Sequence, residues 1–99
     1  MAKAPAYQIM MRGVVKALQH FRREAKASEI DSFVLKEYDV TEDIDGVKRQ
    51  ISFSRNLLKK MNVIHSVRHG YWKLYDKYLD YSEEQIRELL KDYEQYYNK

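Results

Sequence analysis

The stretch from Gln50 to Tyr75, QISFSRNLLKKMNVIHSVRHGYWKLY, changes its periodicity near the middle. In the first half, at about 100° per residue, the apolar side chains fall in one arc of a helix. These are Ile51, Leu57, Leu58 and Met61, with Val47 beside them. Asn62 follows, and Asn tolerates the left-handed conformation that ends many helices. The second half alternates around His69-Gly70, which predicts a hairpin over residues 63–75.

The opposite arc of this predicted helix is basic. It contains five cations, two short hydrogen-bonding side chains and no carboxylate: Lys48, Arg49, Ser52, Arg55, Asn56, Lys59 and Lys60. Residues 47–77 carry eight Lys or Arg and one acid, whereas residues 28–46 carry one Lys and seven acids. Charge segregated along a short chain indicates segregated faces in space. Most charge runs are solvated surface, but the coincidence with one helix face indicates a polyanion site.

Composition limits the class of protein. The 99 residues allow one small domain, and 44% hydrophobic content is typical of a folded chain. The chain has no cysteine, which excludes disulfides and thiolate metal sites. No apolar run approaches the roughly 20 residues of a membrane span. We therefore expect a cytoplasmic protein that does not act at a membrane.

The remaining segments predict three further helices. The first covers residues 6–21, and a short strand at residues 25–27 could pair with the hairpin. Ser28 is the expected N-cap of a second helix that ends near Tyr38. The acidic segment that follows, residues 39–46, is expected to be a turn or a short helical entry, with Thr41 as a possible cap.

A capping box, Ser82-Glu83-Glu84-Gln85, opens the last predicted helix. Glu83 and Arg87 have the spacing of a favourable helical ion pair. The apolar stripe of this helix is Ile86, Leu89, Leu90, Tyr93 and Tyr97. Tyrosine is enriched at protein interfaces, so the stripe is expected to pack on the first helix or on a second copy in a homodimer.

A basic amphipathic helix followed at once by a basic hairpin is typical of a winged helix-turn-helix. The predicted fold class is therefore mainly α with a small β-wing (α+β), extended by a C-terminal helix. Residues 1–81 would form the winged-helix part and residues 82–99 the added helix of the same single domain.

Two motifs resemble the winged-helix domain at the N-terminus of Mrr-type restriction endonucleases. They are FSRNLLKKMNVI, residues 53–64, and RHGYWKL, residues 68–74. Leu58, Lys59 and Lys60 match the family pattern directly, and Gly70, Trp72 and Leu74 take the places of the wing's Gly, Trp and Leu. Tyr75 departs from the family's Thr. The resemblance covers roughly residues 5–75, and it implies a DNA-binding protein of a prokaryote or virus. No nuclease domain follows, so we expect a free-standing transcriptional regulator or architectural factor.

Duplex DNA gives each polar residue of the basic arc a chemical role. Arg55 and Asn56 are the expected base readers, because Arg suits guanine and Asn suits adenine by bidentate geometry. Ser52 would add a further contact to the base edges beside them. The expected phosphate contacts are Lys48, Arg49, Lys59 and Lys60. On the wing, the expected contacts to backbone or minor groove are Arg68, His69 and Lys73.

Other chemistries fit the sequence less well. His65 and His69 would lie about 13 Å apart along a strand, too far for one zinc ion. A calcium loop centred on Gly46 would have Thr41 first and Ser52 last, where acids are required. We expect no enzyme activity, no metal or cofactor and no small-molecule substrate. Two alternatives stay open: a protein-interaction module for an acidic partner, and the DNA-targeting subunit of a restriction or defence system.

Overall fold

Seven regular elements follow one another along residues 6–96, the part of the chain that the computed structural model describes, with side chains described from residue 8. They are α1 (Ala6–Phe21), β1 (Ala25–Lys26), α2 (Ala27–Glu37), α3 (Ile44–Lys60), β2 (Ile64–Arg68), β3 (Tyr71–Leu74) and α4 (Glu83–Leu90). Short 3₁₀ turns occupy Asp76–Tyr78 and Tyr93–Tyr96. The described chain is mainly helical with a three-stranded antiparallel sheet in the order β1-β3-β2. This confirms the predicted α+β class.

The core lies around α1, which packs against α2, α3 and α4. Its fully buried side chains include Met11, Val14, Val15 and Leu18. They meet the buried side of α3, which contains Ile51, Leu57 and Leu58 as its periodicity predicts. No helix in residues 6–96 has the length and hydrophobicity that crossing a membrane requires.

The end of α3 follows the sequence prediction. Asn62 has a left-handed backbone, with φ of 60°. Its N–H donates to the Lys59 carbonyl, and the Val63 N–H donates to the Leu58 carbonyl, both at 3.0 Å. These two bonds form a Schellman motif, which satisfies carbonyls that a helix end would otherwise leave unpaired. Asp39, with φ of 51°, occupies the equivalent position after α2.

The predicted start of α2 is wrong, and Thr41 is not the cap of α3. α2 begins at Ala27, not after Ser28, because the backbone N–H of Lys26 donates to Glu29 Oε1 at 2.9 Å. α3 begins at Ile44 after Asp43 instead of at a Thr41 cap, and Asp43 has φ of 50°.

The start of α3 at Ile44 places Gly46 inside the helix, where it is buried. A Cβ at this position would collide with the Asp43 carboxylate. The Asp43 side chain is exposed and could move aside, so a side chain at position 46 would displace this carboxylate from the first turn of α3. A helix from Ile44 onward also lacks the loop geometry that a calcium site would need.

The hairpin is confirmed, with Gly70 at φ of 78° in its turn. The ladder shifts between Ser66 and Arg68, so Val67 forms a bulge that increases local twist. β1 adds the third strand, as predicted, and the Ala27 N–H donates to the Gly70 carbonyl at 3.0 Å. These bonds tie the hairpin turn to the start of α2.

The capping box of α4 is also confirmed. The Gln85 N–H donates to Ser82 Oγ at 3.1 Å, and the Ser82 N–H donates to Gln85 Oε1 at 2.8 Å. However, α4 ends at Leu90, shorter than the predicted stripe requires. Tyr97, the last residue of that stripe, lies outside the described residues.

Most of the predicted dimerisation stripe belongs to the core of the same domain. Ile86, Leu90 and Tyr93 are at most 3% exposed, and α4 packs on α1. Side chains already buried in one copy offer little surface to a second copy, so their assignment to a dimer interface is corrected. Leu89 is half-buried. The alternative that the sequence left open, packing on the first helix, is the arrangement that the structure has.

Candidate nucleic-acid interface

The exposed arc of α3 carries the basic face, which we define as Lys48, Arg49, Ser52, Asn56, Lys59 and Lys60. Its four cations are all exposed, as is Asn56, and Ser52 is half-buried. Among the described residues, none of these cations lies within ion-pair distance of a carboxylate. Unpaired surface cations keep their whole charge available to an anionic partner.

Local sequence explains why this face points outward. The opposite side of α3 is anchored by apolar residues, and the one buried hydroxyl there, of Ser54, donates to the Gln50 carbonyl at 2.8 Å. Lys59 and Lys60 lie in the last helical turn, where the helix dipole favours cations. Because α3 starts at Ile44, one acid, Asp45, lies on the basic side in the first turn.

Arg55 does not belong to the basic face. Its side chain is 11% exposed, and its Nη1 lies 3.1 Å from Asp31 Oδ1 on α2. Its guanidinium carbon is 5.7 Å from the centre of the Trp72 ring on β3. Arg55 therefore joins α3 to α2 and to the sheet, and its assignment to a base edge is corrected.

The Arg55–Asp31 pair carries a substantial desolvation cost. Burial raises the pKa of Asp31 above its ordinary value, against the attraction of Arg55 and of Lys48. In the described part of the chain, Arg55 Nε is buried without a hydrogen-bond partner. The pair consequently fixes the position of α3 more than it adds net stability.

The hairpin brings two of its predicted cations into intramolecular pairs. Arg68 Nη2 lies 2.7 Å from Glu24 Oε1, and the guanidinium is 4.0 Å from the centre of the Tyr71 ring. Lys73 Nζ is 4.0 Å from Asp76 Oδ1. Exposed pairs of this kind are weak, so these cations can exchange a carboxylate for a phosphate at small cost.

His69 is exposed in the turn of the hairpin. His65 instead stacks against Tyr75, with ring centres 4.6 Å apart. Within residues 6–96 no group of three or more His, Cys, Asp or Glu side chains could hold a metal ion.

Lys26 was not among the residues predicted to contact DNA. The residue lies on β1 opposite Tyr71, with its Nζ 5.9 Å from the centre of that ring. It is exposed, and it adds a cation to the sheet face that already holds Arg68 and Lys73. The predicted strand at residues 25–27 contained the signal, because pairing with the hairpin places Lys26 beside the hairpin's own cations.

No protein-family model, curated protein or solved structure matches this chain. A functional proposal therefore depends on the charge and geometry of the basic face and the hairpin.

Proposed function

We propose that this chain is a winged helix-turn-helix protein that binds duplex DNA and has no enzymatic activity. The observation that carries the proposal is the basic face of α3, with four exposed cations around Asn56 that form no ion pair within residues 8–96. The element order and the β1-β3-β2 sheet support the winged-helix assignment. In this proposal α2 and α3 form the helix-turn-helix, and the β2–β3 hairpin is the wing.

A helix with this distribution of side chains suits the major groove. The groove admits one α-helix and presents a different donor and acceptor pattern for each base pair. Asn56 has the amide that pairs bidentately with adenine, and Ser52 offers a second hydrogen-bonding group. Lys48 and Lys59 lie beside Ser52 on the arc, while Arg49 and Lys60 lie on the far side of Asn56. Cations on both edges can reach the two phosphate backbones that border the groove.

The wing would contact the backbone beside that groove. His69 is exposed at its tip, and Arg68 and Lys26 lie around Tyr71 on the outer sheet face. Arg55 acts indirectly in this proposal, because it holds α3 at a fixed angle to α2 and β3.

Binding to a labelled duplex over a range of salt concentrations tests the proposal. The logarithm of affinity should fall with the logarithm of salt by about 0.9 per neutralised phosphate. Lys59→Ala should weaken binding to all sequences and reduce that slope by about one unit. Lys91→Ala, a control at the end of α4 where the lysine pairs with Glu88, should leave the slope unchanged. If Lys59→Glu and Arg49→Glu together leave affinity unchanged at low salt, DNA binding is wrong.

Selection from a random duplex library tests whether the chain reads sequence. Enrichment of a common motif indicates a sequence-specific regulator, and Asn56→Ala should then cost about 1–3 kcal/mol on that motif. Binding without enrichment indicates an architectural factor. An acidic protein partner would use the same cations, but it would not depend on the Asn56 amide or prefer any duplex. Two half-sites in the motif would indicate a homodimer, which sedimentation velocity tests directly.

A further inference from the structure

A cleft of about 210 Å³ lies on a different part of the molecule, between α1, the end of α2 and the start of α4. Its lining residues are Arg12, Lys16, Tyr38, Glu83, Ile86 and Arg87. Ile86 and the Tyr38 ring give it apolar walls, and the other four side chains are charged. None of these residues belongs to the basic face or the hairpin.

The carboxylate in this cleft is paired with a lysine. Lys16 Nζ lies 2.7 Å from Glu83 Oε1 and 3.2 Å from Glu37 Oε2, so one lysine bridges α1 to α2 and α4. The predicted pair of Glu83 with Arg87 within α4 is absent from the ion pairs of the described residues. Glu83 pairs with Lys16 of α1 instead, and within residues 8–96 no carboxylate lies at ion-pair distance from Arg87.

Arg12 supplies an independent observation. Its Nε is buried and has no hydrogen-bond partner within the described chain. A buried donor without a partner costs free energy, and a native structure usually satisfies such a group with water or a ligand. Two guanidinium groups, of Arg12 and Arg87, thus line one small cleft without an ion pair among residues 8–96.

Tyr38 adds a neutral donor. Burial raises the pKa of its hydroxyl, so the group stays protonated at physiological pH and can donate a hydrogen bond. Its ring packs against α1 at Gly13, where a Cβ would lie 2.9 Å from Tyr38 Cε2. Gly13 therefore makes room for one wall of the cleft.

We propose that this cleft binds a small organic anion, whose carboxylate or phosphate contacts Arg12 and Arg87 and whose apolar body lies against Ile86 and Tyr38. Guanidinium groups bind both oxyanions bidentately. The cations of the cleft, Arg12, Lys16 and Arg87, also outnumber the two carboxylates that pair with Lys16. The volume is below the ~300 Å³ typical of sites for drug-sized ligands, which limits the body to about one ring. The anion would bridge α1 to α4, two helices outside the proposed DNA contact.

Titration of the full ¹⁵N-labelled chain tests the cleft, with benzoate, phenyl phosphate and inorganic phosphate as separate probes. Sodium chloride keeps the ionic strength constant. Saturable shifts of the Arg12 and Arg87 Nε–Hε signals are expected, with an affinity of about millimolar or tighter. Preference for phenyl phosphate or for benzoate identifies the oxyanion, and inorganic phosphate measures the contribution of the apolar body.

Arg87→Gln should weaken the preferred probe about tenfold or more, because one charged bidentate partner is lost. Arg87 is exposed, so this variant should keep the wild-type unfolding midpoint. Arg49→Gln, on the basic face, should weaken duplex binding and leave probe binding unchanged. Arg87→Gln should weaken probe binding and leave duplex binding unchanged. The two variants thus separate failure of the cleft from failure of DNA binding. Shifts that rise linearly for every probe, or equal affinity in Arg87→Gln and wild type, would overturn the proposal.

Discussion

Arg55→Ala removes the link between α3 and α2, and its effect on stability follows from the structure. Two unit charges 3.1 Å apart attract by about 5 kcal/mol at an effective dielectric of about 20. Desolvation opposes this attraction, since both side chains are less than one-fifth exposed. The expected net loss is about 2 kcal/mol, within the range for hydrogen bonds to charged groups. Lost packing of the Arg55 stem and guanidinium on Trp72 adds about 1 kcal/mol.

Urea unfolding followed by circular dichroism measures this loss, with Arg49→Ala as the matched control. Both changes replace an arginine of α3 by the best helix former, but Arg49 is exposed and unpaired in the described structure. We expect about 3 kcal/mol for Arg55→Ala and less than about 0.5 kcal/mol for the control. In an Asp31→Ala background, Arg55→Ala should cost only about 1 kcal/mol, because the ion pair is already gone. Equal effects of Arg55→Ala and Arg49→Ala, or additive effects of the two pair mutations, would refute the structural role of Arg55.

Three further changes test the packing. Gly13→Ala should destabilise the domain by about 1–3 kcal/mol, because Tyr38 and Val34 leave no room for a methyl group. This loss should exceed the gain from the better helix propensity of Ala. A higher thermal unfolding midpoint for the variant than for wild type would contradict the prediction. Asn62→Ala should be about 1 kcal/mol less stable than Asn62→Gly, since Gly adopts the left-handed backbone without strain; equal midpoints in urea would contradict this. Asp31→Asn tests the raised pKa of Asp31. The folded carboxyl keeps its proton to higher pH than the unfolded one, so wild-type stability relative to Asp31→Asn should be greatest below pH 3.8 and fall as pH rises. If the stability of wild type relative to Asp31→Asn instead rose with pH, the pKa of Asp31 would not be raised by folding.

Local chemistry made much of the fold predictable from the sequence. Asn62 ends α3 because its side chain tolerates a left-handed backbone, and Ser82 begins α4 because it and Gln85 bond to each other's N–H groups. His69-Gly70 forms the turn of the hairpin because Gly70 readily adopts the positive φ that the turn has. Each of these features depends on residues within a few positions, which periodicity and capping patterns describe directly. The same holds for the exposed cations of α3, whose place on the outer arc follows from the helical repeat.

Only the tertiary structure decided which charged side chains form ion pairs within the molecule. Arg55 looks like its basic neighbours in sequence, but its partner Asp31 lies 24 residues away on another helix. Glu83 likewise pairs with Lys16 of α1 instead of Arg87 of α4, and this choice leaves Arg87 in the cleft. Helical spacing states which residues share a face of one element, but an ion pair between elements depends on how those elements pack. The sequence by itself therefore determined where the helices, the hairpin and the basic surface lie, and packing determined which cations remain available to bind another molecule.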